Sequence, residues 1–210
     1  MLLVGAGGLA AQLFDDLDAM KINDIAFWSE RGTKFPFITE KYPLLKTDAD
    51  VQDYFKRVSP AFALCIGDTN ARKMLTLRFE QLGGELTSFI NPFSNISAYC
   101  SIGKGCMILR DVDVEAGVII GDGCLINKQA NLGHGCIIAA NCEIGPTSLI
   151  SPEAEIGENT LVGIGSIILH KIKIGQNVTV SAGSVVTKNI KDNAVVSGSP
   201  AILRFYKKLK

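Results

Sequence analysis

Two histidines, His134 and His170, are all the imidazoles the sequence contains, and its six cysteines include no C-x-x-C pair. That spacing excludes zinc-finger and ribbon-like sites, so no metal is expected. An excess of charge of either sign is also lacking, since 21 Lys and Arg face 21 Asp and Glu. Apart from the short "RFYKKLK" at the C-terminus, no basic run could track a phosphate backbone, which sets nucleic acid aside as a partner. No uninterrupted apolar stretch approaches the roughly 20 residues that a bilayer-spanning helix needs. The apolar start "MLLVGAGGLAAQLFDDL" has no positive segment and meets Asp15 early, so the expectation is a cytoplasmic protein without membrane insertion.

What the sequence does have is a period. From Ile90 onward a branched aliphatic residue recurs every six positions, through Ile108, Leu132, Ile150 and Ile168 to Val186. Four residues after each comes a small or β-branched one, and Cys100, Cys106, Cys124, Cys136 and Cys142 all fall there. Glycine often follows the aliphatic residue directly, as at Gly103, Gly121, Gly133, Gly145, Gly157, Gly163 and Gly175. Period six fits neither the 3.6-residue helix nor the alternation of a hairpin sheet. It predicts a triangular parallel β-helix with one short strand and one corner per hexad, three hexads making an 18-residue coil. The aliphatic residues fill its centre, the cysteines are small core residues, and glycine permits the bends. Just over five coils give a stack about 25 Å tall at roughly 4.8 Å per coil.

Residues 1–88 read differently. "MLLV", "DIAFW" and "AFALCIG" are candidate strands, separated by the helical patterns "AAQLFDDLDAM" and "ARKMLTLRFEQLGG". Alternating strands and helices predict a small parallel α/β domain. Gly5, Gly7 and Ala10 complete G-x-G-x-x-G/A between a strand and a helix, where backbone amides can hold a phosphate. Eighty-eight residues supply about half of a dinucleotide fold. The expectation is therefore a Rossmann-like half domain sized for a sugar nucleotide rather than NAD, at 1–88. The β-helix follows at 89–188 and a C-terminal extension at 189–210.

The hexad pattern resembles the hexapeptide-repeat acyltransferases. The order of elements resembles one subgroup of them: sialic-acid O-acetyltransferase-like proteins and the N-acetyltransferases of 4-amino-sugar nucleotides, of the bacillosamine, viosamine and perosamine type. The resemblance implies a left-handed β-helix, a homotrimer with active sites between subunits, acetyl-CoA as co-substrate and a nucleotide-linked amino sugar as acceptor. It places the nucleotide at Gly5, Gly7, Gly8, Glu30, Gly67, Asp68 and Asn70, without choosing among uracil, thymine and guanine. Acetyl-CoA falls at Gly163, Ile164, Ala182 and Gly183, with Arg204 of the "GSPA…R" segment near the adenine.

His134, in "INKQANLGHGCII", matches the family's catalytic position, with Asn127 ahead of it and Glu143 where some relatives carry a second histidine. An imidazole suits the removal of a proton from an attacking amine or hydroxyl. His134 and His170 hold the same outward hexad position 36 residues apart, two coils or roughly 10 Å, so at most one is the base, and His134 is expected to be it. Gly133 and Gly135 are expected to leave room for substrate. Gly135 stands where relatives place an acid beside the histidine, and Pro152 where they have a glycine amide near the thioester. Sugar O-acetylation by the same machinery, or a non-catalytic nucleotide-binding scaffold, are the alternatives to N-acetylation.

Overall fold

The computed structural model describes residues 1–20 and 24–208; Leu209 and Lys210, the end of the expected C-terminal extension, lie outside them. The chain divides into two compact units, Met1–Ser88 and Phe89–Lys210.

The first unit is built on a parallel sheet of β1 (Leu2–Val4), β2 (Ala26–Trp28), β3 (Leu44–Leu45), β4 (Ala61–Leu64) and β5 (Glu85–Leu86), in the order β3-β2-β1-β4-β5. β1 is buried throughout, as expected of a strand covered on both faces. α1 (Gly8–Ala19), α2 (Pro36–Lys41), α3 (Asp48–Arg57) and α4 (Thr69–Gln81) connect the strands. The order reverses direction at β1, so the sheet extends past a half Rossmann fold by two strands on its far side. α3 begins with a capping box, in which Thr47 and Asp50 satisfy each other's amides. Trp28, Phe55, Phe62 and Phe79 form the aromatic core, with Trp28 edge-on to Phe79 at 5.0 Å between ring centroids.

The second unit is the β-helix. β6 (Phe89–Ile90) to β22 (Val185–Val186) are two-residue strands, one per hexad, each paired in parallel with the strand eighteen residues away. They stack as three sheets, the faces of the triangle. From Ile108 to Val186 every residue of the aliphatic series is at most 3 % exposed, whereas Ile90, Ile96 and Ile102 sit in the less covered first coil. β23 (Ala194–Gly198) and β24 (Ala201–Tyr206) form an antiparallel hairpin added to one face.

The small residues do more than fill space. The Cys106, Cys124 and Cys142 thiols donate to the carbonyls of Gly121, Ala139 and Gly157, and the Thr160 hydroxyl continues the column onto Gly175 at 2.9 Å.

The bends differ from the sequence expectation. The corner residues with positive φ lie three positions after the aliphatic residue, as at Asp111, Gly117, Gly123, Gly135, Asn141, Glu153 and Gly165. The glycines directly after the aliphatic residue have another cause: a Cβ on Gly121 would lie 2.7 Å from the amide of Ala140 in the next coil. They are glycine because coils approach closely there.

The corner amide two positions after the aliphatic residue stays outside the backbone ladder. Lys104 and Gln176 give theirs to Asp122 and Asp192. Pro146 and Pro152, which have no N–H to place, occupy the same position elsewhere.

No helix among the described residues is long and apolar enough to cross a membrane. Cys65, Cys106, Cys124, Cys136 and Cys142 are buried, and Cys100 is half-buried. Burial pushes the Cys65 and Cys136 thiols up, the latter to about 12 with the charge of Glu115 adding to it. Titration of the native protein with a disulfide reagent should therefore modify Cys100 alone at neutral pH. The other five should react only as fast as the protein unfolds, and rapid modification of Cys124 or Cys136 in the native state would contradict this packing.

Candidate active site

His134 sits at the corner after β13 (Asn131–Leu132), which pairs with β10 (Asp113–Val114) below and β16 (Leu149–Ile150) above. Leu132 is buried, so alternation turns Asn131 and the corner outward. The His134 side chain is exposed. Its amide donates to Glu115 Oε2 at 2.7 Å, and its carbonyl accepts the amide of Glu153 at 3.0 Å.

Eighteen-residue spacing stacks Ala116, His134, Pro152 and His170 in one column. His170 Nδ1 lies 2.8 Å from the Pro152 carbonyl. Because a carbonyl only accepts, Nδ1 carries the proton in that bond and the ring is anchored.

The glycines beside His134 have structural causes of their own. A Cβ on Gly133 would lie 2.7 Å from Pro152 N, and Gly135 holds the corner at φ 67°. The outward surface below belongs to Asp113, whose carboxylate accepts the side-chain amides of Asn95 at 2.9 Å and Asn131 at 3.2 Å.

Asn127 is buried at the preceding corner, after β12 (Leu125–Ile126), so it and His134 flank β13. Glu143, on β15 (Glu143–Ile144), belongs to another face of the triangle, and within one chain it is not brought to His134. Gly163 lies two coils above Asn127. A Cβ on it would come within 2.6 Å of Ala182 N, and Gly183 donates to the Ile164 carbonyl at 2.8 Å. Ile164 and Ala182 therefore stack, with Ile164 exposed. Arg204, on β24, is tied to the Ser197 hydroxyl and carbonyl.

In the first unit, Gly5 (φ 119°) is needed by the fold, because a Cβ there would lie 2.5 Å from the Cys65 carbonyl. Gly7 and Gly8 are different: nothing lies within 4 Å of a Cβ built on either, and neither has positive φ. Gly7 caps α1 without a side-chain hydrogen bond, leaving the helix N-terminus uncovered. Asp68 caps α4 through the amide of Ala71 at 2.7 Å, the Gly67 carbonyl accepts from Arg72, and Asn70 is exposed. Glu30 lines a cavity of about 650 Å³ with Trp28, Ser29, Ile66, Met74 and Arg78. Arg78 bridges Glu30 and Asp48 and lies over the Trp28 ring, 5.1 Å from its centroid. Sequence reasoning singled out Glu30 and missed Arg78; the only signal was the helical pattern that carries it. Among the described residues no cluster of His, Cys, Asp and Glu is placed to hold a metal ion.

The bacterial transferase hexapeptide model (six repeats) matches residues 117–152 and 153–188. A histidine mutant of perosamine N-acetyltransferase from Caulobacter crescentus, in complex with CoA and GDP-perosamine, is similar with a TM-score of 0.88 and 25% sequence identity, over 97% of this chain and 96% of that one. The acetyltransferase domain of PglB from Neisseria gonorrhoeae, in complex with acetyl coenzyme A, gives 0.86 and 26% over 97% and 98%. WeeI from Acinetobacter baumannii, at 20% identity and a TM-score of 0.84 over 97% and 98%, shares the fold. No curated protein sequence matches the chain. Fold and repeats define a left-handed parallel β-helix, with hexapeptide repeats of the bacterial transferase type over residues 117–188. The α/β unit ahead of the helix extends that likeness over nearly the whole chain.

The contrast between the glycines is testable. Gly7→Val should fold with a Tm within a few degrees of wild type, whereas Gly5→Val should lose several kcal/mol to overlap and strain. Thermal denaturation of the two variants checks this, and a large loss in Gly7→Val would mean that the fold itself requires that glycine.

Proposed function

We propose that the chain is an acetyl-CoA-dependent N-acetyltransferase of a 4-amino-sugar nucleotide, working as a homotrimer with His134 as general base. The observation that carries this reading is the likeness of both units to an enzyme bound with CoA and GDP-perosamine. The uncovered α1 N-terminus beside Gly7 and Gly8 supports a diphosphate site, since amides and helix dipole both favour an anion there. The cavity at Glu30 is open to the nucleoside.

In the second unit, the stacked corner of Gly163, Ile164, Ala182 and Gly183 receives the donor's arm, and Arg204 its nucleotide end. The amine nitrogen attacks the thioester carbonyl while His134 takes its proton. Collapse of the tetrahedral intermediate breaks the C–S bond, and the imidazolium returns the proton to the departing thiolate. Pro152 offers no amide to the oxyanion. Glu143 faces away from His134 in its own chain, so a part for it in this site depends on a neighbouring copy. Exposed Ile119 and Ile137 supply apolar surface for such a contact.

His134→Ala should lower kcat about 10²–10⁴-fold with little change in Tm, because the ring is exposed and packs no core. In wild type the pH profile of kcat/KM should carry an inflection that the variant lacks. His170→Ala should stay within a few-fold. Normal turnover by His134→Ala would end the assignment of the base. A hydroxylamine-labile product would replace the amide with an ester and N- with O-acetylation. Sedimentation of a monomer at micromolar concentration would remove the inter-subunit site.

A further inference from the structure

The sequence leaves His134 without the adjacent acid that would hold it, since Gly135 stands in that place. The structure supplies a carboxylate from another direction. Glu115 follows the inward Val114, and Val114 pairs with Leu132, so Glu115 lies directly below Gly133. Its own amide is used in the ladder, donating to the Leu132 carbonyl at 3.0 Å, and its side chain reaches up to the His134 amide at 2.7 Å.

That amide holds the corner position that the ladder does not use. Where Lys104 and Gln176 satisfy theirs, the carboxylate descends from the coil above. Above His134 stands Pro152, and the carboxylate comes from below instead. The corner needs such a tie. Glycine on both sides of His134 leaves no neighbouring side chain to restrict it, and the imidazole makes no hydrogen bond among the described residues. The other nearby acids are committed: Asp113 to two asparagine amides, and Glu153 to Lys171 at 3.6 Å.

We propose that Glu115 is the positioning residue of His134: by accepting its backbone N–H across the coil boundary, it fixes the corner from which the imidazole reaches the reacting amine. This rests on His134 being the base. The charge-assisted bond of a carboxylate to an amide is short and directional, which suits it to the purpose. Misplacement of a base by an ångström is enough to cost turnover without touching substrate binding.

The test compares Glu115→Ala, Glu115→Gln and His134→Ala in one acetyl-transfer assay, with Tm and amide hydrogen exchange measured on the same proteins. Glu115→Ala should lower kcat about tenfold or more while both KM values and Tm hold, and the His134 amide should exchange faster. Glu115→Gln keeps an oxygen able to accept the same N–H, and should recover kcat to within a few-fold together with the protection. A purely structural role would move Tm and leave kcat alone. The proposal is overturned if Glu115→Ala turns over like wild type, if its loss lies in KM, or if Glu115→Gln is no better than Glu115→Ala. With His134→Ala inactive, such a result removes only Glu115, whereas an active His134→Ala removes the base reading itself.

Discussion

In the β-helix the amides on either side of each inward aliphatic residue donate to carbonyls of the next coil, as Asn131 does to Ser148 at 2.9 Å and Gly133 to Ile150 at 2.8 Å, and these bonds set the distance between coils. Much else in the unit follows from that spacing. It brings backbone so close above Gly121, Gly133, Gly145 and Gly163 that no side chain fits there. It leaves the corner amide two positions after each aliphatic residue unused, so proline is tolerated at Pro146 and Pro152. It also aligns side chains eighteen residues apart into columns, which is how Pro152 comes to receive His170, and it brings Glu115, one position off that column, to the His134 amide.

Inside and outside answer to different demands. Inward columns carry aliphatic residues and short donors, and a thiol, a hydroxyl or a methyl serves nearly as well as long as the volume is small. Outward columns have no packing duty, so their chemistry is free to serve the site. His134, Asp113 and Glu115 all lie outward within two adjacent coils. The first unit works on other rules. There a glycine turn is divided between Gly5, which the sheet requires, and Gly7 and Gly8, which it does not. Glycine with no structural cause is the stronger sign of a ligand.

The β-helix was readable because its core residues repeat in sequence as they do in space, and Leu132 or Ile150 announces its place by period alone. The first unit was readable only where strands were long. β1 and β4 stand out as apolar runs, while Leu44–Leu45 and Glu85–Leu86 are two residues each and carry no pattern. α3 was missed although Thr47, Asp50, Val51 and Phe55 carry its cap and buried stripe. His134 was singled out by its surroundings in sequence, whereas the structural cause of its glycines, the closeness of Pro152 and a positive φ, comes from the coil. Glu115 escaped notice because its link to His134 spans nineteen residues, a coil and one position more, and only the arithmetic of the coil connects them.

The hexad and the coil impose different grammars on change in length. Removing one hexad leaves every aliphatic residue facing inward, so the core scarcely registers the loss. Yet everything beyond the cut is carried round by a third of a turn, onto the neighbouring face. A deletion of six between Glu115 and His134 would keep both residues and part them. Only gains or losses of eighteen preserve the faces as well as the core, so over evolutionary time a helix of this kind is free to lengthen coil by coil while its site pins the phase.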